Sequence, residues 1–307
     1  MTTEAAAGPD AFHHATVMLG PALTHLDPRS GGIYADATLG GGGHAEGILE
    51  KSSPDGRLIG LDRDETALLA ARERLARFGD RVTFVHGAFA ELRSVLAGVD
   101  VPRVDGLIAD LGVSSPQLDR PERGFSFRDG GPLDMRMDRS RGETALELIE
   151  RLGEGELADV IYELGEERRS RPIARSIKRA LERDELHTTD DLRRAVVRVL
   201  GPRRKRVDPA TRTFQALRIA VNDELGQLDT LLRDLPDVLV DGGVAVLISF
   251  HSLEDRKVKH AFRDNSSLHP LTKKPQTADD EERELNPRAR SAKLRAARRV
   301  ARAEVSS

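Results

Sequence analysis

Over its first 110 residues the chain alternates short apolar runs with segments of helical period, and that alternation leaves few folds open. Residues 32–36 read as a strand, followed by a glycine run and a helix over 44–51. Residues 56–62 form a second strand. Asp64 is placed to cap a helix over 65–78, which Gly79 ends. Residues 82–85 and 105–109 supply the third and fourth strands. Strands that alternate with helices predict an α/β fold with a parallel, doubly wound sheet.

The pattern then changes twice. Residues 110–138 show neither strand nor helix period, and connections beyond about 12–15 residues are uncommon in compact domains unless they do something. Phe125, Phe127, Met135 and Met137 are too apolar for a flexible linker, so the loop should pack, with a ligand pocket at a strand end as the expected place. Helical segments follow at about 144–152, 156–164, 168–183 and 190–200, with Thr188 and Asp191 spaced as a capping box. One more helix is predicted from Thr211 through Leu232, leading to a fifth buried strand over 243–250. The chain thus divides into a first sheet segment (1–138), an inserted all-helical domain (139–207) and a second sheet segment (208–307). Residues 264–287 read as polar and irregular.

Composition narrows the chemistry. The 307 residues include no cysteine, which excludes disulfides, thiolate metal sites and cysteine nucleophiles, and fits a cytoplasmic setting. No run approaches the roughly 18 apolar residues of a membrane span, and the first ten residues lack the pattern of a secretory signal. The net charge of −3 hides segregation. Residues 168–206 hold 14 Lys and Arg against 5 Asp and Glu, and residues 288–302 hold 7 basic residues and no acid. Two basic islands on an otherwise acidic chain suit a polyanion met at defined places; solvated helix faces would give the same counts.

The strand ends carry the chemistry. Segment 36–44, Asp-Ala-Thr-Leu-Gly-Gly-Gly-Gly-His, lies between the first strand and its helix, where glycines let backbone N–H groups approach a ligand; an ordinary tight turn is the alternative. Asp62 ends the second strand 22 residues after Gly40, where a carboxylate can accept from both hydroxyls of an adenosine ribose. Phe89 follows the third strand and can stack on a flat base or simply fill the core. Asp110 ends the fourth strand and points toward the same crevice. A nicotinamide site favours Gly-x-Gly-x-x-Gly, whereas this loop resembles the methyltransferase pattern Asp-x-Gly-x-Gly-x-Gly, with Thr38 in place of the first glycine. S-adenosyl-L-methionine is therefore the expected cofactor.

The chain resembles the MraW/RsmH family of S-adenosylmethionine-dependent methyltransferases, which modify cytidine N4 in bacterial 16S ribosomal RNA. The likeness runs through residues 14–19, 39–44, 61–64, the whole loop 110–138, 165–168, 210–219, 248–256 and 286–291. It implies a Rossmann-like class I methyltransferase sheet, and cofactor contacts at Gly42, Gly43, His44, Asp62, Phe89, Asp110 and Gln117. His44 and Gln117 rest on the resemblance alone. It also implies 16S ribosomal RNA as partner, within the small ribosomal subunit. Some relatives carry cysteines in the late polar region; this chain has none, and no metal is expected.

Asp110 is the candidate catalytic residue, as holder of the cofactor, of the acceptor amine, or of both. Many amino-methyltransferases place Asp/Asn/Ser-Pro-Pro-aromatic here, and Asp110-Leu111-Gly112-Val113 departs from that. Ser249, His251 and Ser252 follow the fifth strand and are candidates to orient a base or phosphate, or to satisfy the loop itself. No Gly-x-Ser-x-Gly elbow supports hydrolase chemistry. Arg168, Arg169, Arg171, Arg175, Lys178, Arg179 and the run 203–206 are candidates to grip RNA phosphates while a cytosine is splayed out. The rival readings are a methyltransferase acting on a protein or small molecule, a nicotinamide-dependent oxidoreductase, and an RNA-binding assembly protein with a vestigial pocket.

Overall fold

The computed structural model of the protein describes residues 16–127, 130–202 and 208–301. Helix α1 (Leu19–Leu26) precedes β1 (Ile33–Asp36), α2 (Gly43–Lys51), β2 (Arg57–Asp62), α3 (Glu65–Leu75), β3 (Val82–His86), α4 (Leu92–Gly98) and β4 (Val104–Asp110). A short α5 (Ser115–Asp119) lies in the long loop. Helices α6 (Ala145–Arg151), α7 (Glu154–Gly165), α8 (Ser170–Glu182) and α9 (Thr189–Leu200) follow, then α10 (Thr211–Asn222) and α11 (Glu224–Val238). The chain closes with β5 (Leu239–Ser249), α12 (Ser252–Asp264), β6 (Leu268–Pro270), α13 (Asp280–Leu285) and β7 (Lys293–Arg299).

The sheet has the order β3-β2-β1-β4-β5-β7-β6. The first five strands are parallel, and β7 runs antiparallel to both β5 and β6. Strand order reverses between β1 and β4, so the crevice beyond their carboxyl ends is where a ligand fits. Because successive side chains point to opposite faces, Leu58 and Ile59 enter different cores. One core packs α1–α3 against the sheet, and the other packs α4, α11 and α12 on the opposite face. Thr188 and Asp191 form the expected reciprocal cap on α9, at 3.2 and 2.8 Å.

The long loop does pack. Phe125, Leu133, Met135 and Met137 join α6–α9, Ala210, Phe214 and Leu217 in a third apolar cluster. Phe127 meets Phe214 edge-on, with ring centroids 5.0 Å apart. Gly124 is required where the loop folds back: its φ is +73°, and a Cβ there would lie 2.2 Å from the Pro132 carbonyl oxygen.

Three expectations are corrected. The single helix predicted over 211–232 is two helices, because Asp223 adopts a left-handed conformation (φ 46°) that ends α10 and begins α11. Residues 264–287 are not irregular throughout, since they include β6 and α13. The basic island 288–302, read as a place to meet a polyanion, holds the core strand β7 over Lys293–Arg299. Ala296 and Ala297 are fully buried, Arg295 pairs with Asp255 at 2.7 Å, Arg299 pairs with Asp241, and Arg288 reaches Asp119 at 3.1 Å. Its charges hid the apolar alternation that marks a strand. No helix among the described residues is long and apolar enough to cross a membrane.

Candidate active site

A cavity of about 440 Å³ opens over the carboxyl ends of β1, β2 and β4, within the range of roughly 300–1,000 Å³ common for small-molecule sites. The glycine loop forms one wall. Thr38, which stands where the methyltransferase pattern has a glycine, uses its hydroxyl to accept from the Asp110 backbone N–H at 2.6 Å, tying the ends of β1 and β4 together. The Gly40 N–H donates to Asp62 Oδ2 at 2.7 Å, and the Asp64 N–H donates to Asp62 Oδ1 at 2.8 Å. Asp62 is thereby aimed by two backbone donors, and each oxygen keeps a lone pair for a ribose hydroxyl. Asp64 itself caps α3 through Thr66 N–H at 3.0 Å, the division of labour expected between the two aspartates.

Of the seven residues expected to touch the cofactor, Gly43, His44, Asp62, Phe89, Asp110 and Gln117 line the cavity. Gly42 does not: its φ is +81°, and a Cβ there would meet Leu75 at 3.2 Å, so it serves the turn into α2 beneath α3. His44 is buried with Nε2 3.0 Å from the Val17 carbonyl oxygen. Burial pushes its pKa down to about 4. A carbonyl only accepts, so the neutral ring carries its proton on Nε2. Gln117 is engaged at both ends, accepting from Ser114 N–H at 2.9 Å and donating to Asp64 Oδ2 at 3.0 Å.

Asp110 is unlike the others. Its Oδ1 is buried and has no hydrogen-bond partner among the described residues, and the same holds for Oδ2 of the neighbouring Asp36. Burial, with Asp36 and Glu254 close by, raises the Asp110 pKa to about 8, and burial raises that of Asp36 to about 7. Asp110 lines the cavity and its unpartnered oxygen suits a cation or a hydrogen-bond donor, whereas Asp36 lies off the wall with its Oδ1 accepting from the Thr38 N–H at 3.1 Å. S-adenosylmethionine brings a sulfonium and an ammonium, and fits. A dinucleotide would bring its pyrophosphate anion to the same loop, beside Asp110, which speaks against the nicotinamide reading.

A pH dependence follows. Both groups have folded pKa values above the ordinary 3.8, so their contribution to stability is full below that value and is lost as pH rises through about 7 to 8. The melting temperature of the cofactor-free protein should fall across this window, and less so in an Asp110→Asn variant. S-adenosylmethionine should bind more tightly as pH rises from 6 to 9, with proton release detectable by calorimetry in buffers of different ionisation enthalpy.

The remaining lining residues were not foreseen. Arg63, Arg218, Glu224, Phe250 and Glu254 also line the cavity, Arg63 just after β2 and Phe250 and Glu254 just after β5. Arg218 holds Glu224 through two bonds of 2.8 Å. The candidates Ser249, His251 and Ser252 are absent from the wall. Ser249 Oγ donates to the Lys293 carbonyl at 3.3 Å, His251 caps α12, and Ser252 Oγ donates to Glu166. The spacing of His251 and Glu254 as a helix cap was the available signal for Glu254. Glu224, His251 and Glu254 also cluster closely enough to hold a metal, but Arg218 already occupies Glu224.

The sheet order, the acidic end of β2, and the paired carboxyls at the β1/β4 switch point define a class I S-adenosylmethionine-dependent methyltransferase. Within that class the chain belongs to the MraW methylase family, which it matches over residues 11–300. It is 64% identical over 297 residues to the ribosomal RNA small subunit methyltransferase H of Sorangium cellulosum, covering 96% of this chain and 94% of that one. The proteins of the same name from a Synechococcus strain and from Citrifermentans bemidjiense are 55% and 48% identical, each covering 94% of this chain and 98% and 99% of their own.

Proposed function

We propose that the protein transfers a methyl group from S-adenosyl-L-methionine to the exocyclic N4 amine of a cytidine in 16S ribosomal RNA of the small subunit. Membership of the MraW methylase family supports this, as does the shared name of its relatives. The observation that carries the chemistry is the buried, unpartnered Asp110 Oδ1 at the end of β4.

Bound in the cavity, S-adenosylmethionine supplies an electrophilic methyl on a sulfonium. Asp62 is placed for the ribose, Phe89 for the adenine, and Gly43, His44 and Gln117 for the remaining wall. Asp110 accepts an N–H of the cytosine amine and fixes its direction of attack. As the amine takes the methyl from the bound sulfonium, which would leave with the sulfur–carbon electron pair, Asp110 would take the amine's proton. Alignment of the two reactants supplies much of the acceleration. No covalent enzyme intermediate is required, in keeping with a chain that has no cysteine.

Residues 139–207 are read as the inserted RNA-recognition unit between the two sheet segments. Several arginines expected to meet RNA are partnered instead: Arg171 with Asp159 at 2.9 Å, and Arg175 with Glu154 at 3.3 Å. Exposed Arg168, Arg179 and Arg183 carry no ion pair among the described residues and are the phosphate contacts this reading favours. The run 203–206 lies outside the described residues. Changing Arg168, Arg179 and Arg183 to glutamate should weaken RNA binding and flatten its salt dependence, leaving S-adenosylmethionine affinity unchanged. RNA affinity equal to the parent's would remove this surface from the account.

The function is tested by incubating the protein with methyl-labelled S-adenosylmethionine and a mixture of small ribosomal subunits and cytoplasmic proteins. Label entering 16S RNA supports the reading. Label entering protein or a small molecule instead overturns it.

A further inference from the structure

The β4–β5 end of the cavity holds polar groups that the cofactor contacts leave unused. Glu254 is 2% exposed, and its Oε2 accepts from the backbone N–H groups of Phe250 and His251 at 2.8 and 3.2 Å. Its Oε1 lies 3.1 Å from His251 Nε2, yet His251 Nε2 has no hydrogen-bond partner among the described residues. Glu254 Oε1 is thus held in place with acceptor capacity to spare. Glu254 and Arg218 share this wall with Asp110. Arg218 uses Nε and Nη2 on Glu224, which fixes the plane of its guanidinium, and among the described residues its Nη1 donors are uncommitted.

We propose that Glu254 and Arg218 form, with Asp110, an acceptor-base subsite that selects cytosine over uracil, an inference that rests on the RNA-methylating reading above. The exocyclic amine of cytosine offers two N–H donors, one for Asp110 Oδ1 and one for Glu254 Oε1. Both hydrogen bonds lie in the base plane, leaving the attack direction on the base face. Ring N3 and O2 are acceptors and suit Arg218. Uracil reverses the first two groups: an oxygen at C4 faces the carboxylates, and N3–H faces the guanidinium. A site built to hydrogen-bond one such edge rejects the other because its own buried groups are left unpaired.

Two experiments test this. In wild-type protein, target RNA is prepared with the methylated cytidine, located from the product, replaced by uridine or by 2-pyrimidinone riboside, which bears nothing at C4. As competitors of methylation, the uridine RNA should bind about tenfold more weakly than the pyrimidinone RNA. Equal competition by the two would overturn the proposal. Glu254→Gln keeps a side-chain oxygen for the Phe250 and His251 N–H groups but turns an N–H₂ toward the base. Its kcat should fall about 100-fold, with unchanged melting temperature and S-adenosylmethionine affinity, and its preference between the two competitors should narrow. A variant that keeps parental kcat and preference, or whose defect is confined to cofactor affinity or melting temperature, would show that Glu254 serves only as the α12 cap. Failure of the functional reading is seen separately, as wild-type protein that places no methyl on RNA.

Discussion

Replacing Asp110 by asparagine is expected to lower turnover by about 10²- to 10⁴-fold at saturating cofactor and RNA, the range for losing a positioned proton acceptor. The substitution keeps the size of the side chain and the Thr38 bond to the Asp110 backbone N–H. It removes the negative charge and puts a donor where an amine must also donate. S-adenosylmethionine affinity should weaken less, by about 10- to 100-fold, because one hydrogen bond to a charged group contributes about 1.5–3 kcal/mol. Single-turnover rates together with calorimetric Kd values separate the two effects. An unchanged single-turnover rate would move Asp110 from the reaction to the cofactor wall. The buried Oδ1 and the raised pKa of about 8 both argue for a group that changes its protonation or partner during the cycle.

The second large effect is on the fold. Arg123 and Asp64 form an ion pair at 2.7 Å with side chains 4% and 5% exposed. Arg123 also donates to the carbonyls of Arg136 and Met137 at 3.1 and 2.9 Å, drawing the middle and the far end of the long loop onto the start of α3. Asp64 in turn receives Gln117, so one carboxylate joins the α3 cap, the loop and the cavity wall. Arg123→Ala leaves Asp64 buried without its counter-charge and should destabilise the protein by about 3–5 kcal/mol in urea unfolding. Cofactor affinity should fall as well, since Asp62 and Gln117 adjoin the same node. A loss under 1 kcal/mol would show that the loop is held by its apolar residues alone.

These two cases show what the sequence could and could not reveal. The place of Asp110 on the cavity wall was legible because local signals agreed: a buried strand ended there, and three other strand ends carried compatible groups. The parallel sheet was legible for the same reason, through alternation of apolar runs with capped helices. The Arg123–Asp64 pair spans 59 positions, and no local pattern encodes such a partner. Gly42 was misplaced because a glycine needed for its left-handed turn reads like one needed for ligand approach. β7 was hidden by four basic side chains in seven residues, three of them turned onto Asp255 and Asp241. Glu254 and Arg218 reach the cavity from elements far apart in the chain, and only the fold brings them onto one wall with Asp110.

The most direct measurement is to digest small-subunit RNA after reaction with S-adenosylmethionine and to identify the modified nucleoside by mass spectrometry. The account predicts N4-methylcytidine in 16S RNA, made by the parent protein and lost with Asp110→Asn. A methyl on carbon 5, on a ribose hydroxyl or on another base would contradict it, because the account requires the N4 amine of cytosine at Asp110.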